Sequence, residues 1–142
     1  MYFFVPNDSP IHDPAGRAFV AHARALASHF SQEVHGRVLP SDVAYVQSAA
    51  QHLWQQRDAA ACWGELDVDG WLAELAAHPA WQDQVEAAAV SLHAFYCYLV
   101  KHALVPRERA LRPVDALQPY TSMAMCTLIA THGLCGDLPL SG

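Results

Sequence analysis

Nine histidines are the first side chains in this sequence that could do chemistry. Two ligands on one helix can share a metal ion when they stand three or four residues apart, because that spacing puts both on one face. His29 and Glu33 have this spacing. His22 and His29 are two helical turns apart and need a third element between them to meet one ion. His12 and His35 fall near opposite ends of one helical stretch. Neither HExxH nor the Glu-x-x-His pair of a di-iron bundle occurs. The histidines are read as surface or part-buried side chains, and no metal and no cofactor is expected.

Nucleophilic chemistry has equally little to work with. There is no GxSxG elbow and no GxxxxGK(S/T) phosphate loop. Cys62, Cys97, Cys126 and Cys135 show no CxxC spacing. Cys97 and Cys126 stand in apolar helical runs, where a free thiol packs as a small hydrophobe. Asp67 and Asp69 sit at a helix start, where capping accounts for both. The sequence reads as non-enzymatic.

Charge is the stronger signal. Fourteen acids stand against eight bases, a net of −6, and only 15% of residues are charged. That balance disfavours general attraction to nucleic acid or anionic lipid and suits a basic partner. Seven acids, Asp58, Glu65, Asp67, Asp69, Glu74, Asp83 and Glu86, follow one another with no Lys or Arg between them. They are the candidate partner-binding face. Residues 101–112 are the reverse: Lys101, Arg107, Arg109 and Arg112 against Glu108, four bases to one acid, or +3, which leaves −9 on the rest. Those four bases are the candidate nucleic-acid contact.

The elements that position these residues are helices throughout. Asp13-Pro14 offers an N-cap and a proline at the first helical position, and Gly36 offers a stop. Phe19, Ala23, Leu26, Phe30 and Val34 form the inner stripe between them. A second start at Leu39-Pro40-Ser41-Asp42 leads into Val43, Val46, Ala50, Leu53 and Trp54, fading near Ala59–Cys62. Asp67 or Asp69 caps a short third helix with Trp71, Leu72 and Leu75 turned inward, and Pro79 closes it. The longest pattern runs over about 82–104. Its apolar positions are Val85, Ala88, Ala89, Leu92, Tyr96, Leu99, Val100 and Leu104, and its polar face carries Gln84, Glu86, Ser91, His93 and Lys101. Around Phe95–Tyr98 the stripe nearly encircles the helix, so neighbours must wrap it. Pro106 ends it. A single turn over Val114–Leu117 and a last helix from near Thr121 to Gly133 complete the chain.

These elements predict an all-α, single-domain bundle over 1–142, with five or six helices around the long one. Residues 1–12 are extended, and 134–142 form a loose tail. Leu92, Phe95, Tyr96 and Leu99 are the expected core, with Leu26 and Phe30 against them. No apolar run reaches the twenty or so residues of a membrane span. Met1–Pro6 is too short and lacks the basic start of a secretory leader. A reduced, cytoplasmic protein is expected.

From Asp67 to Arg112 the residues also resemble a known family. Val68, Trp71, Leu72 and Leu75 form a short helix. Ser91 to Tyr96, then Tyr98-Leu99-Val100 and Leu104, form a long one, and Pro106 to Leu111 a basic loop. With a preceding helix from residue 43, this is similar to the core-binding domain of tyrosine recombinases and phage integrases over about 43–112. The resemblance implies a helical DNA-gripping module. The family's catalytic Arg, His-x-x-Arg and Tyr nucleophile have no counterpart here, so no recombination chemistry is expected.

Two functions are therefore in view. One is a non-enzymatic protein-binding module, in the manner of a small acidic inhibitor, an antitoxin-like factor or an adaptor. The other is a DNA-binding module using 101–112. Hydrophobic residues make up 53% of the chain, more than one compact domain readily hides, so a homodimer is also expected. Met123, Met125, Leu128 and Ile129 on the last helix are its expected surface. Trp54, Trp63, Trp71 and Trp81 are read as core, any exposed one being a contact candidate.

Overall fold

The computed structural model describes residues 13–56 and 61–132, with side-chain environments up to Thr121. The expected extended segment 1–12, the tail 134–142, Asp58 and the fading end of the second helix near Ala59 lie outside the described residues. Among the described residues five α-helices follow in chain order: α1 Pro14–His35, α2 Pro40–Gln56, α3 Val68–Ala77, α4 Val85–Lys101 and α5 Arg107–His132. No strand occurs among the described residues, and none of their helices is long and apolar enough to cross a membrane.

The first helix begins and ends where its residues require. Asp13 accepts a hydrogen bond from the Ala15 N–H, and Pro14 occupies the first position, where a missing N–H costs nothing. At the other end Gly36 adopts φ 74° and returns its N–H to the Gln32 carbonyl. Only glycine takes that left-handed conformation without a Cβ penalty. The chain then turns through Arg37–Leu39 into α2, and the two helices pack side by side.

α4 is the axis of the bundle and touches each of the other four helices. Leu92, Phe95 and Tyr96 are completely buried and Leu99 is 1% exposed, as the encircling apolar stripe requires. Phe30 joins them, whereas Leu26 is only half-buried. An aromatic chain crosses this core: Trp54 on Phe19, Phe19 on Trp63, Trp63 on Phe95, and Phe95 on Phe30, with centroids 5.2–5.9 Å apart. Trp71 and Trp81 are fully buried and Trp63 nearly so, while Trp54 remains half-buried. Two polar positions of α4, Ser91 and His93, are buried rather than on a solvated face.

The long helix is shorter than its pattern. Residues Gln82–Gln84 form a 3-10 turn, and α4 stops at Lys101 instead of running to Pro106. Ala103 takes φ 57°, the Leu104 N–H bonds the Leu99 carbonyl, and the Ala103 N–H bonds the Val100 carbonyl. This is the Schellman closure usually built on glycine, and a non-glycine residue there costs roughly 1–2 kcal/mol. It leaves Leu104, expected in the stripe, 51% exposed.

The largest correction concerns the C-terminal part. The expected basic loop, single turn and separate last helix are one continuous helix, α5, which begins at Arg107 and runs through both Pro113 and Pro119. Proline inside a helix costs about 3 kcal/mol, because it removes one hydrogen bond and crowds the carbonyl four residues back. Burial offsets the cost: Ala110 and Leu117 are completely buried and Val114 is 1% exposed, on the side that α4 covers. Near Pro119, the Thr121 hydroxyl donates to the Gln118 carbonyl at 3.1 Å.

Pro113 has a second effect. Its missing N–H leaves the Arg109 carbonyl without its helical donor. The 3-10 turn Trp63–Glu65 packs against that point, and a Cβ placed on Gly64 would lie 2.8 Å from the Arg109 oxygen. Nothing larger than glycine fits there without moving backbone. Tyr96 secures the same turn by donating its buried hydroxyl to the Trp63 carbonyl. Gly64→Ala should therefore destabilise the protein by about 1–3 kcal/mol in chemical denaturation, as overpacking does. An unchanged midpoint would mean that the turn does not press on α5.

Candidate functional site

Three helices converge on one carboxylate. Asp42 is the third residue of α2 and only 5% exposed. The start of α2 suits it, because the first turn of a helix presents unpaired N–H groups and a partial positive charge. Ser31 and His35 are four apart on α1, so both reach the same point. The Ser31 hydroxyl donates to Asp42 Oδ2 at 2.8 Å, and His35 Nε2 lies 3.2 Å from that oxygen. From α4 the Ser91 hydroxyl donates to Oδ1 at 2.8 Å. Ser31 Oγ also accepts the Leu39 N–H at 2.8 Å, which fixes the turn between α1 and α2.

Beside this carboxylate opens a cavity of about 570 Å³ between α1, the start of α2 and the first half of α4. Its walls are apolar: Phe30, Val34, Leu39, Val90 and Ala94. Its charged lining is Asp42, Asp83 and Glu86, with His35 at the edge and no Lys or Arg. Tyr45 also lines it and donates its hydroxyl to Gln84 Oε1 at 2.7 Å. Burial first, and the Asp42 charge second, push the Tyr45 phenol above its ordinary value.

Serine, histidine and aspartate meet here, yet in an order that does not run nucleophilic catalysis. A catalytic triad places the imidazole between acid and hydroxyl, so that it can take the hydroxyl proton. Here Asp42 stands between, and both serines spend their protons on it. What the arrangement offers is a fixed, apolar-walled recess with a negative lining.

The acidic residues singled out in the sequence do not form one face. Asp83 and Glu86 enter the cavity. Glu74 contacts His52 Nδ1 at 2.5 Å, and Asp67 lies 3.7 Å from His52 Nε2. Asp67 also caps α3 through the Gly70 N–H, and Asp69 accepts the Tyr120 hydroxyl at 3.3 Å. Glu65 lies in a separate depression with Glu108, Arg109, Arg112 and Cys62. The basic residues scatter too. Lys101 lies 3.5 Å from Glu33, whereas Arg109 and Arg112 share their depression with the two carboxylates, and all four bases are exposed.

Glu33 is engaged by His102 at 2.8 Å and by Lys101 at 3.5 Å. Among the described residues no group of three ligand side chains could hold a metal. Cys62 is free, but Cys97, expected to be a free thiol, is disulfide-bonded. Exposed large hydrophobics among the described residues are Val38 and Leu104. The surface expected for a homodimer, Met123 to Ile129, lies outside the described side chains.

The site residues that sequence reading missed are Asp42, Ser31 and Ser91. Asp42 read only as part of a helix start, and a serine in an amphipathic pattern reads as solvated. No family model, no curated protein and no solved structure matches the chain. The likeness to recombinase core-binding domains thus rests on the residues quoted for it.

Two outcomes follow. Asp42→Ala would strip the buried Ser91 hydroxyl of its acceptor, leave Ser31 only the Arg37 carbonyl at 3.3 Å, and open a cavity where three helices meet, and should cost about 2–4 kcal/mol in urea unfolding. A loss below ~0.5 kcal/mol would mean that the helices meet without this network. The second concerns His93, 1% exposed on α4, whose pKa burial lowers from 6.5 to about 4. The folded chain keeps it neutral, while the unfolded chain protonates it below about pH 6.5. Its contribution is therefore complete above pH 6.5 and declines as pH falls towards 4, by roughly 3 kcal/mol in all. Between neutral pH and pH 4.5, wild type should lose about 2–3 kcal/mol more than His93→Leu. Parallel pH profiles would show that His93 is not buried in its neutral form.

Proposed function

We propose that this protein is a non-enzymatic binding module that docks on a basic protein partner, as a small inhibitor, antitoxin-like factor or adaptor does. The observation that carries this reading is the recess between α1, α2 and α4, with its apolar walls, three carboxylates and no Lys or Arg in the lining. Apolar walls give a contact its residence, and uniform negative charge steers a basic partner towards it. The recess is held open by buried hydrogen bonds between three helices, so it is formed before anything binds. A preformed site avoids part of the ordering cost of association.

DNA binding through residues 101–112 has less support. Lys101 lies against Glu33, and Arg109 and Arg112 lie beside Glu65 and Glu108. An acidic chain gains little by counterion release from so few free bases.

Affinity capture with wild type and Val90→Lys separates these readings. Val90 is half-buried on the recess wall, so a lysine there sets a positive charge and a longer side chain in the recess without opening the core. Proteins retained by wild type should be lost from the variant, whose melting temperature should match wild type. Identical capture by both would remove the recess from the reading. Retention on heparin that falls steeply with salt, equal in both proteins, would favour the basic segment instead.

A further inference from the structure

We infer that the recess selects a partner polypeptide presenting a lysine or arginine directly beside an apolar side chain, with Asp83 and Glu86 as the pair that reads the cation. The inference rests on the reading of this recess as a docking surface and narrows what it accepts.

The three carboxylates in the lining are not equivalent. Asp42 is spent. One of its oxygens takes the Ser91 proton, the other takes Ser31 and faces His35, and the residue is 5% exposed. Its burial among these contacts leaves a ligand cation little access to it. Asp42 is a positioning residue. Asp83 and Glu86 are exposed and three residues apart, on the 3-10 turn and first turn that open α4. That spacing puts two side chains on one side of a helix. Neither has an ion-pair partner among the described residues. They are the lining charges available to a ligand.

The walls set the other half of the requirement. Val34, Leu39 and Val90 are half-buried and face the same space as the two carboxylates. A purely ionic ligand would leave those walls wet, and exposed ion pairs are individually weak. A purely apolar ligand would have to lie against two carboxylates. A side-chain pair that is cationic at one end and apolar beside it satisfies both, and the stem of a lysine or arginine itself covers apolar surface.

The test titrates the full chain with three synthetic peptides of equal length. One alternates leucine and lysine as an amphipathic helix, one has glutamine in place of lysine, and one is oligolysine. Amide NMR shifts at Ala87, Val90 and Ala94 report seating in the recess. The leucine–lysine peptide should seat there and bind tightest, and Asp83→Asn/Glu86→Gln should weaken it about 2- to 30-fold, the range for two exposed ion pairs. The variant should hold wild-type circular dichroism. Leucine–glutamine binding as tight as leucine–lysine, or no weakening in the double variant, would overturn the charge-reading role. Oligolysine binding equally well would overturn the apolar half. In each of those cases the recess survives as a docking surface if Val90→Lys still abolishes capture. Absence of any shift in the recess, together with capture unaffected by Val90→Lys, would overturn both.

Discussion

A carboxylate in a protein interior is tolerable only when its charge is met by donors. Asp42 meets that condition with two hydroxyl donors, drawn from two different helices, and with an imidazole 3.2 Å away. A buried charge stripped of its partners costs several kcal/mol, so α1, α2 and α4 are constrained to a single mutual arrangement. Apolar packing alone is less exacting, because greasy surfaces of similar volume can slide and still be covered. The Ser91 contact spans 49 residues of sequence and ties the first helical pair to the axis of the bundle. The recess is a by-product of this junction. Where three helices are pinned at one point, their diverging surfaces leave space beside it.

The second organising constraint is the encirclement of α4. A helix with Ala94, Phe95, Tyr96 and Cys97 all buried in succession has no solvent side at its middle. Every neighbour must then supply an apolar face. α5 supplies Ala110, Val114 and Leu117, and two internal prolines do not dislodge it. The aromatic chain from Trp54 to Phe30 joins residues of α1, α2, the 63–65 turn and α4 into one core, with edge-on contacts at its centre.

Much of this was legible in the sequence, for physical reasons. Asp13-Pro14 and Gly36 fixed the ends of α1 because capping is local chemistry. The four central residues of α4 were recoverable because periodicity reports burial. Three kinds of feature were not. The end of α4 depends on Ala103 entering a conformation its side chain disfavours, which no residue type announces. The continuity of α5 depends on tertiary packing outweighing two prolines that local rules treat as stops. The Asp42 junction depends on serines from distant helices, and each of those serines looks ordinary within its own helix. The acidic run between 58 and 86 was visible as composition. Its division among a cap, an imidazole contact, a depression and a recess is a property of the fold.

Gly64 and Pro113 meet at one carbonyl. The proline withholds the N–H that a helix would offer the Arg109 oxygen, and the glycine leaves room for that oxygen against the 63–65 turn. The two positions are held by different forces. Position 64 is fixed by contact with the Arg109 backbone and Cβ, which no change at 113 removes, whereas any other residue at 113 would supply the missing helical donor. Tolerance at this seam is therefore one-sided: the helix can exchange its proline, and the turn cannot enlarge its glycine.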